Sequence, residues 1–201
     1  VMRRTEHKGR VDIAAVHGAQ LDLRTEHNIA GLAAQSILSA LGNPCGIEME
    51  LYKSIHPGSG IGSSAASAAG AAAGVNALLD AGLRPDELIP FALDGEALAS
   101  GARHSDNVAP ALLGGLVLCP PEGPLRPIPF PTEWHLVVLH PQVTVRTSDA
   151  RAVLPENVPL KSAAQQGAWF ASFVAACYEN DAERAVYALE DQLVGPHRES
   201  L

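Results

Sequence analysis

The chain has 201 residues, 47% of them hydrophobic and 18% charged, a balance that excludes a disordered tail or a low-complexity linker. A net charge of -8 with only 14 scattered Lys and Arg excludes a duplex nucleic-acid partner, which needs clustered cations, and an aromatic content of 4% argues against a stacking platform for single strands. No apolar run approaches the roughly 20 residues of a membrane span, and Cys45, Cys119 and Cys177, odd in number and without CxxC pairing, read as thiols of a reducing cytoplasm.

Residues 11–23 alternate loosely (Val11, Ile13, Ala15) and predict an edge strand. Asn28 reads as a helix N-cap, Ile29, Leu32, Ala33, Ile37 and Leu41 recur at helical spacing, and Gly42-Asn43-Pro44 stops that helix. From Ile47 the period becomes two: Ile47, Met49 and Leu51 face one way, Glu48 and Glu50 the other, a half-buried strand to about Ile55. A glycine-rich stretch, His56 to Ser64, then feeds a helix of alanines reaching Leu79. Small side chains on every face predict close packing on all sides. A second helix starts at Pro85, a good first helical residue, and runs to about Ala99 with Pro90 inside it.

Residues 101–110 read as a polar loop. Strands are expected at 112–118, 135–140 and 143–145, a short helix at 148–154, and longer helices at about 163–178 and 182–193. The proline-rich stretch 120–131 is an extended surface connection. Strands and helices mix without regular βαβ alternation, so α+β is the class. Composition suggests two domains, 1–120 and 121–201.

Function concentrates at Gly58–Ser64. Three alternate glycines let the backbone bend and approach a ligand. The loop empties into a helix N-terminus, whose amides and dipole favour an anion. Ser63 and Ser64 add hydroxyls able to cap, bind phosphate oxygen or ligate Mg2+. The arrangement is a phosphate cradle or, more plainly, a glycine-rich turn between strand and helix. A Walker A loop is excluded because no lysine follows the glycines. Gly60 to Ala65 fits GxGxxA, but the stretch after Asp80 is no strand, so a dinucleotide fold is disfavoured.

Pro57-Gly58-Ser59-Gly60-Ile61-Gly62-Ser63-Ser64-Ala65-Ala66 resembles the PxGxGLGSSAA motif of the GHMP small-molecule kinases. Ile61 stands for the usual leucine, and the proline comes one place late. Gly101 to Pro110 is similar to the SGxxHxDNVAP string of the homoserine kinase branch, and Leu113-Gly114-Gly115 follows it as it does there. Thr147 to Pro155 is similar to that branch's TxxARxxLP, and Pro196 to Leu201 to its PxRxxL.

The resemblance implies an α+β GHMP kinase fold: an N-terminal domain of the ribosomal protein S5 domain 2-like type and a ferredoxin-like C-terminal domain, both incomplete here. It implies transfer of the γ-phosphoryl group of ATP to the side-chain hydroxyl of L-homoserine, on the path to threonine. The nucleotide would be held by Pro57, Gly58, Ser59, Gly60, Ile61, Gly62, Ser63 and Ser64, with Asn28 and Lys53. Ser64 and Glu96 correspond to Mg2+ ligands, hard oxygens that suit that ion. Asn107 stands where relatives carry a catalytic aspartate. An amide cannot act as a base, so it would orient the hydroxyl, which a loose phosphoryl-transfer transition state tolerates. Arg151 and Arg198 match arginines that grip the amino-acid carboxylate, a task a guanidinium fork suits, and Thr147 lines the same pocket. Glu96, Asn107 and Arg151 are thus the expected catalytic set, with His104 and Asp106 structural.

The family's first strand with its PxSxANxGxGFD motif and its late GSGPT motif do not occur in the chain. It is expected to be an internal fragment, poorly active until those ends are restored. Other expectations are a cytoplasmic location and a homodimer, with no nucleic-acid or membrane partner. Two other readings stand beside this one: a kinase for another small alcohol, and an inactive nucleotide-binding fragment.

Overall fold

The computed structural model describes residues 1–100, 103–139, 150 and 152–198, except the side chains of 98–100. Two compact units divide the chain, Val1–Arg126 and Pro127–Leu201.

The first unit holds a three-stranded sheet with four helices. Strand β1 (Met2–Thr5) runs antiparallel to β3 (Gly46–Tyr52), and β2 (Val11–His17) runs parallel to β3 on its other side. Helix α1 (Ile29–Ala40) makes the crossover from β2 to β3, as a parallel pair requires. The alternation read at 47–51 is realised: Ile47 and Met49 are almost fully buried, whereas Glu48 stays at the surface and accepts from Arg3 of β1 at 2.7 Å. An extra residue at Ala14 interrupts the β2–β3 register, after which His17 pairs with Tyr52 and their rings stack at 4.4 Å. The short strand β1 had no sequence signal of its own; pairing with β3 makes it a strand.

Helix α2 (Ser63–Leu79) is the expected alanine helix. It packs against α1, α3 (Pro85–Ser100), α4 (Ser105–Leu113) and β1. Its Ala65, Ala68, Ala71, Ala72 and Val75 join Ile37, Leu38, Ile47, Met49 and Val108 in one core. Small side chains bring helix axes toward the lower end of the roughly 8–10 Å range.

The polar loop expected at 101–110 is a correction. From Ser105 onward it is helix α4, because Val108 and Ala109 are fully buried and reward a helical turn, while Pro110 sits inside. The strand expected from 112 starts only at Leu116, after Gly114 and Gly115 turn the chain with φ of 75° and 63°. That strand, β4 (Leu116–Leu118), pairs with β5 (Arg126–Ile128) in a small ribbon.

The second unit contains α5 (Leu160–Glu179), α6 (Ala182–Tyr187) and α7 (Gly195–Arg198). Helix α6 stops six residues short of expectation because the Asp191 carboxylate accepts from the amides of Leu193, Val194 and Gly195 and starts a new turn. Residues 135–139 form no strand: Leu136 to Leu139 are each more than two-thirds exposed, or close to it, with no paired strand among the described residues. The strand expected at 143–145 lies outside the described residues. No helix among the described residues is long and apolar enough to cross a membrane.

Candidate functional site

The glycine loop leaves β3 at Tyr52 and enters α2 at Ser63. Gly58, Gly60 and Gly62 adopt φ of 79°, 77° and 80°, the left-handed region that costs other residues about 1–2 kcal/mol each. Gly62 is the residue before α2 and brings no side chain to cap it, so the first-turn amides are open to a ligand. Ser59 Oγ is shielded from solvent yet has no hydrogen-bond partner among the described residues. Such a group costs about 1–3 kcal/mol, which a phosphate oxygen would recover. Ile61 projects outward and is 53% exposed.

Both ends of the loop are tied down. The Lys53 ammonium donates to Ser63 O at 2.6 Å and to Ser67 Oγ at 2.5 Å. Burial pushes the Lys53 ammonium below its ordinary pKa. The Ser63 hydroxyl donates back to Ile55 O at 2.6 Å.

Ser64, one residue deeper in α2, donates to Glu96 Oε1 of α3 at 2.9 Å. Those two side chains meet because α3 crosses α1 closely at Gly95, where an added Cβ would come within 2.3 Å of Ile29 O. Asn107 sits on the first turn of α4, with Oδ1 only 3.1 Å from where a Gly62 Cβ would stand. The approach to α4 is pinned by Arg103, which donates to Asp94; that carboxylate also accepts from Ser36 at 2.5 Å. Loop, hydroxyl, carboxylate and carboxamide therefore come together from α2, α3 and α4. The oxygen pair of Ser64 and Glu96 fits a small hard cation in type.

Asn28 is buried, and its side chain is committed to α1: Oδ1 accepts from Ala30 and Gly31 amides at 3.0 and 3.4 Å, while Nδ2 donates to Asp22 O. The cap reading holds, and the side chain is not displayed to the loop's ligand face. Thr147 and Arg151 lie outside the described residues. Arg198 donates through Nε to Ala150 O at 3.1 Å, the carbonyl immediately before Arg151 in the chain.

A cleft of about 280 Å3 opens between the end of β3 and α2, lined by Val1, Met2, Tyr52, Lys53, Ala66 and Gly70 among others; no residue of 56–64 lines it. Sequence reasoning missed Tyr52 and the Ala66/Gly70 pair. The alanine content led to the expectation of close packing on every face of α2, and the structure corrects it: Ala66 and Gly70 are exposed.

The description "GHMP kinases N terminal domain" fits residues 28–115. A homoserine kinase of Xylella fastidiosa is 47% identical over 193 residues, which are 95% of this chain and 60% of that protein. One from Methanococcus maripaludis is 34% identical over 201 residues, 100% of this chain and 67% of its own length. The crystal structure of homoserine kinase from Cytophaga hutchinsonii matches with a TM-score of 0.90 at 35% identity, covering 100% of this chain and 64% of that one. The chain thus spans 60% of the length of the first of these relatives.

Proposed function

Because the chain belongs to the homoserine kinase family of the GHMP kinases, we propose that the protein of which it is part phosphorylates the side-chain hydroxyl of L-homoserine with ATP. The observation that carries this reading is the meeting of Ser64 and Glu96 at 2.9 Å beside three left-handed glycines and a helix start without a side-chain cap. Triphosphate oxygens are received by the amides of the Gly58–Ser64 loop other than that of Ser59, which donates to His56 O at 3.3 Å, and by the unpartnered Ser59 hydroxyl.

Ser64 and Glu96 would hold Mg2+, which supplies charge neutralisation on the phosphates when bound. Asn107 binds the substrate hydroxyl through its carboxamide and holds it in line with the γ-phosphorus. No side-chain base is needed, because the transition state is loose and the hydroxyl proton leaves late. By the resemblance, Arg151 and Arg198 are the residues proposed for the amino-acid carboxylate, with Thr147 lining their pocket. Exclusion of water and correct alignment then carry most of the rate.

The test is a coupled assay of the full-length protein from the complete reading frame, with homoserine, mevalonate and galactose, for wild type and Glu96→Gln. Turnover on homoserine alone, reduced by about 10²–10³-fold in Glu96→Gln, is the expected result, a loss of the size seen when one electrostatic contact to the transition state is removed. Preference for another alcohol would reassign the substrate. ATP binding without turnover on any of them would make the protein a non-catalytic nucleotide binder.

A further inference from the structure

The resemblance placed Lys53 among groups touching the nucleotide, but its ammonium is turned away from that task. It donates to Ser63 O and Ser67 Oγ, and Ser67 Oγ in turn donates to Ser63 O at 3.2 Å. On the opposite side the Ser63 hydroxyl closes onto Ile55 O at 2.6 Å. The segment 53–55 and the start of α2 are therefore clamped together by three hydrogen bonds, with the Ser67–Ser63 bond bracing the helix side, and residues 56–62 between them carry one turn of their own, Ser59 N–H donating to His56 O at 3.3 Å. That interval holds all three left-handed glycines, the residues whose backbone freedom is greatest and whose ordering costs most.

From this we infer that Lys53, with Ser63 and Ser67, is a positioning device: it fixes the two ends of the glycine loop so that the amides are already aimed before a triphosphate arrives. The inference rests on the ATP-binding reading above. A loop ordered in advance binds without drawing its ordering cost from the ligand's contacts. The same clamp leaves a cation just behind the first turn of α2, where its charge adds to the helix dipole. Lys53 acts through the loop backbone and makes no contact with the nucleotide.

The experiment uses the full-length protein as wild type, Lys53→Met, Lys53→Arg and Ser67→Ala. Calorimetry measures binding of ATP, tripolyphosphate and adenosine, and hydrogen exchange follows residues 56–62 without ligand. Lys53→Met should weaken ATP and tripolyphosphate together, about tenfold, leave adenosine unchanged, raise KM for ATP more than it lowers kcat, and speed exchange across 56–62. Lys53→Arg should recover most of the loss. Ser67→Ala keeps the charge but removes one anchor, so it should reproduce part of the loss and part of the faster exchange.

Several results would overturn the inference. ATP and adenosine could weaken together while tripolyphosphate is unaffected, which would put Lys53 on the nucleoside. Binding could fall in Lys53→Met with exchange at 56–62 unchanged and Ser67→Ala silent, which would make Lys53 a direct phosphate ligand. If wild type binds no ATP, the kinase reading fails instead, and the exchange comparison still decides whether Lys53 orders the loop. Should Lys53→Met not fold, Ser67→Ala carries the same comparison.

Discussion

Gly95→Ala isolates the contact on which the oxygen pair depends. An ideal Cβ at Gly95 lies 2.3 Å from Ile29 O, 3.1 Å from Ala33 Cβ and 3.2 Å from Ala33 N. A carbon needs about 3.3 Å from a carbonyl oxygen, so α3 must withdraw from α1 by about 1 Å. Overpacking of this kind costs up to about 3 kcal/mol, and the upper end applies because the obstructing atoms are mainly backbone. Alanine returns about 1 kcal/mol of helix propensity, leaving a net loss of about 2 kcal/mol. For a chain of this size that lowers the melting temperature by about 4–8 °C. The next residue, Glu96, moves with the helix and away from Ser64 Oγ, now at 2.9 Å. A displacement near 1 Å at a reacting centre costs about 10²-fold in kcat. Calorimetric melting and the homoserine assay read the two effects. Gly167→Ala on α5 is the control: nothing lies within 4 Å of its added Cβ, so it should gain about 0.5–1 kcal/mol. If Gly95→Ala melts at or above wild type, the close-approach argument is wrong. If it melts lower with unchanged kcat, the coupling to Glu96 is wrong.

Ser59→Ala should melt slightly higher in the absence of nucleotide, since it deletes a shielded hydroxyl without a partner, yet bind ATP about tenfold more weakly; a variant weaker in both respects contradicts that role. Asn28→Ala removes the acceptor for two α1 amides and should cost about 1–2 kcal/mol in chemical denaturation, while Asn28→Asp retains most of it. The amide of Val194 foremost, with those of Leu193 and Gly195, holds the Asp191 carboxyl below its ordinary pKa. A depressed carboxylate adds stability that is present above its unfolded pKa, about 4, and is lost as pH falls through the lower native value. Asp191→Asn should therefore flatten the decline in stability below about pH 4, and an acid limb identical to wild type would refute the assignment.

Where one residue type serves one purpose, the sequence could be read directly. Ile47 and Met49 alternate with Glu48 because one face of β3 is core and the other is not, and the same two residues are buried. The glycine loop was visible because no other residue tolerates its three φ values cheaply. The motif singled out Asn107 as a candidate while its helix was missed: Asp106, Asn107 and Pro110 are loop residues by habit, and only tertiary burial of Val108 and Ala109 makes the segment helical. The four-residue β1 carries too short a pattern to detect and exists through its partner strand. Leu136 to Leu139 mislead in the opposite sense, since a continuous apolar run favours a strand only where neighbours supply the ladder. Lys53 shows a different limit: its place in the family resemblance drew it toward the nucleotide, whereas its hydrogen bonds lead to Ser63 and Ser67.

The alanine content of α2 and the chemistry beside it are one property. A helix with an ordinary apolar stripe would present leucines to α1, α3 and α4 and hold each of them farther off. Here Ala65, Ala68, Ala71 and Ala72 are buried with almost no side chain to separate the axes. Only then does a short serine side chain on α2 reach a carboxylate on α3, as Ser64 reaches Glu96. Only then does Asn107 on α4 come to rest against Gly62. Bulk added to the buried face of α2 would thus act on the site twice, by straining the core and by parting the oxygens that the core brings together. This is why the helix that starts at the glycine loop can be poor in hydrophobic volume and still be central to the unit: what its small residues forgo in burial they return as proximity.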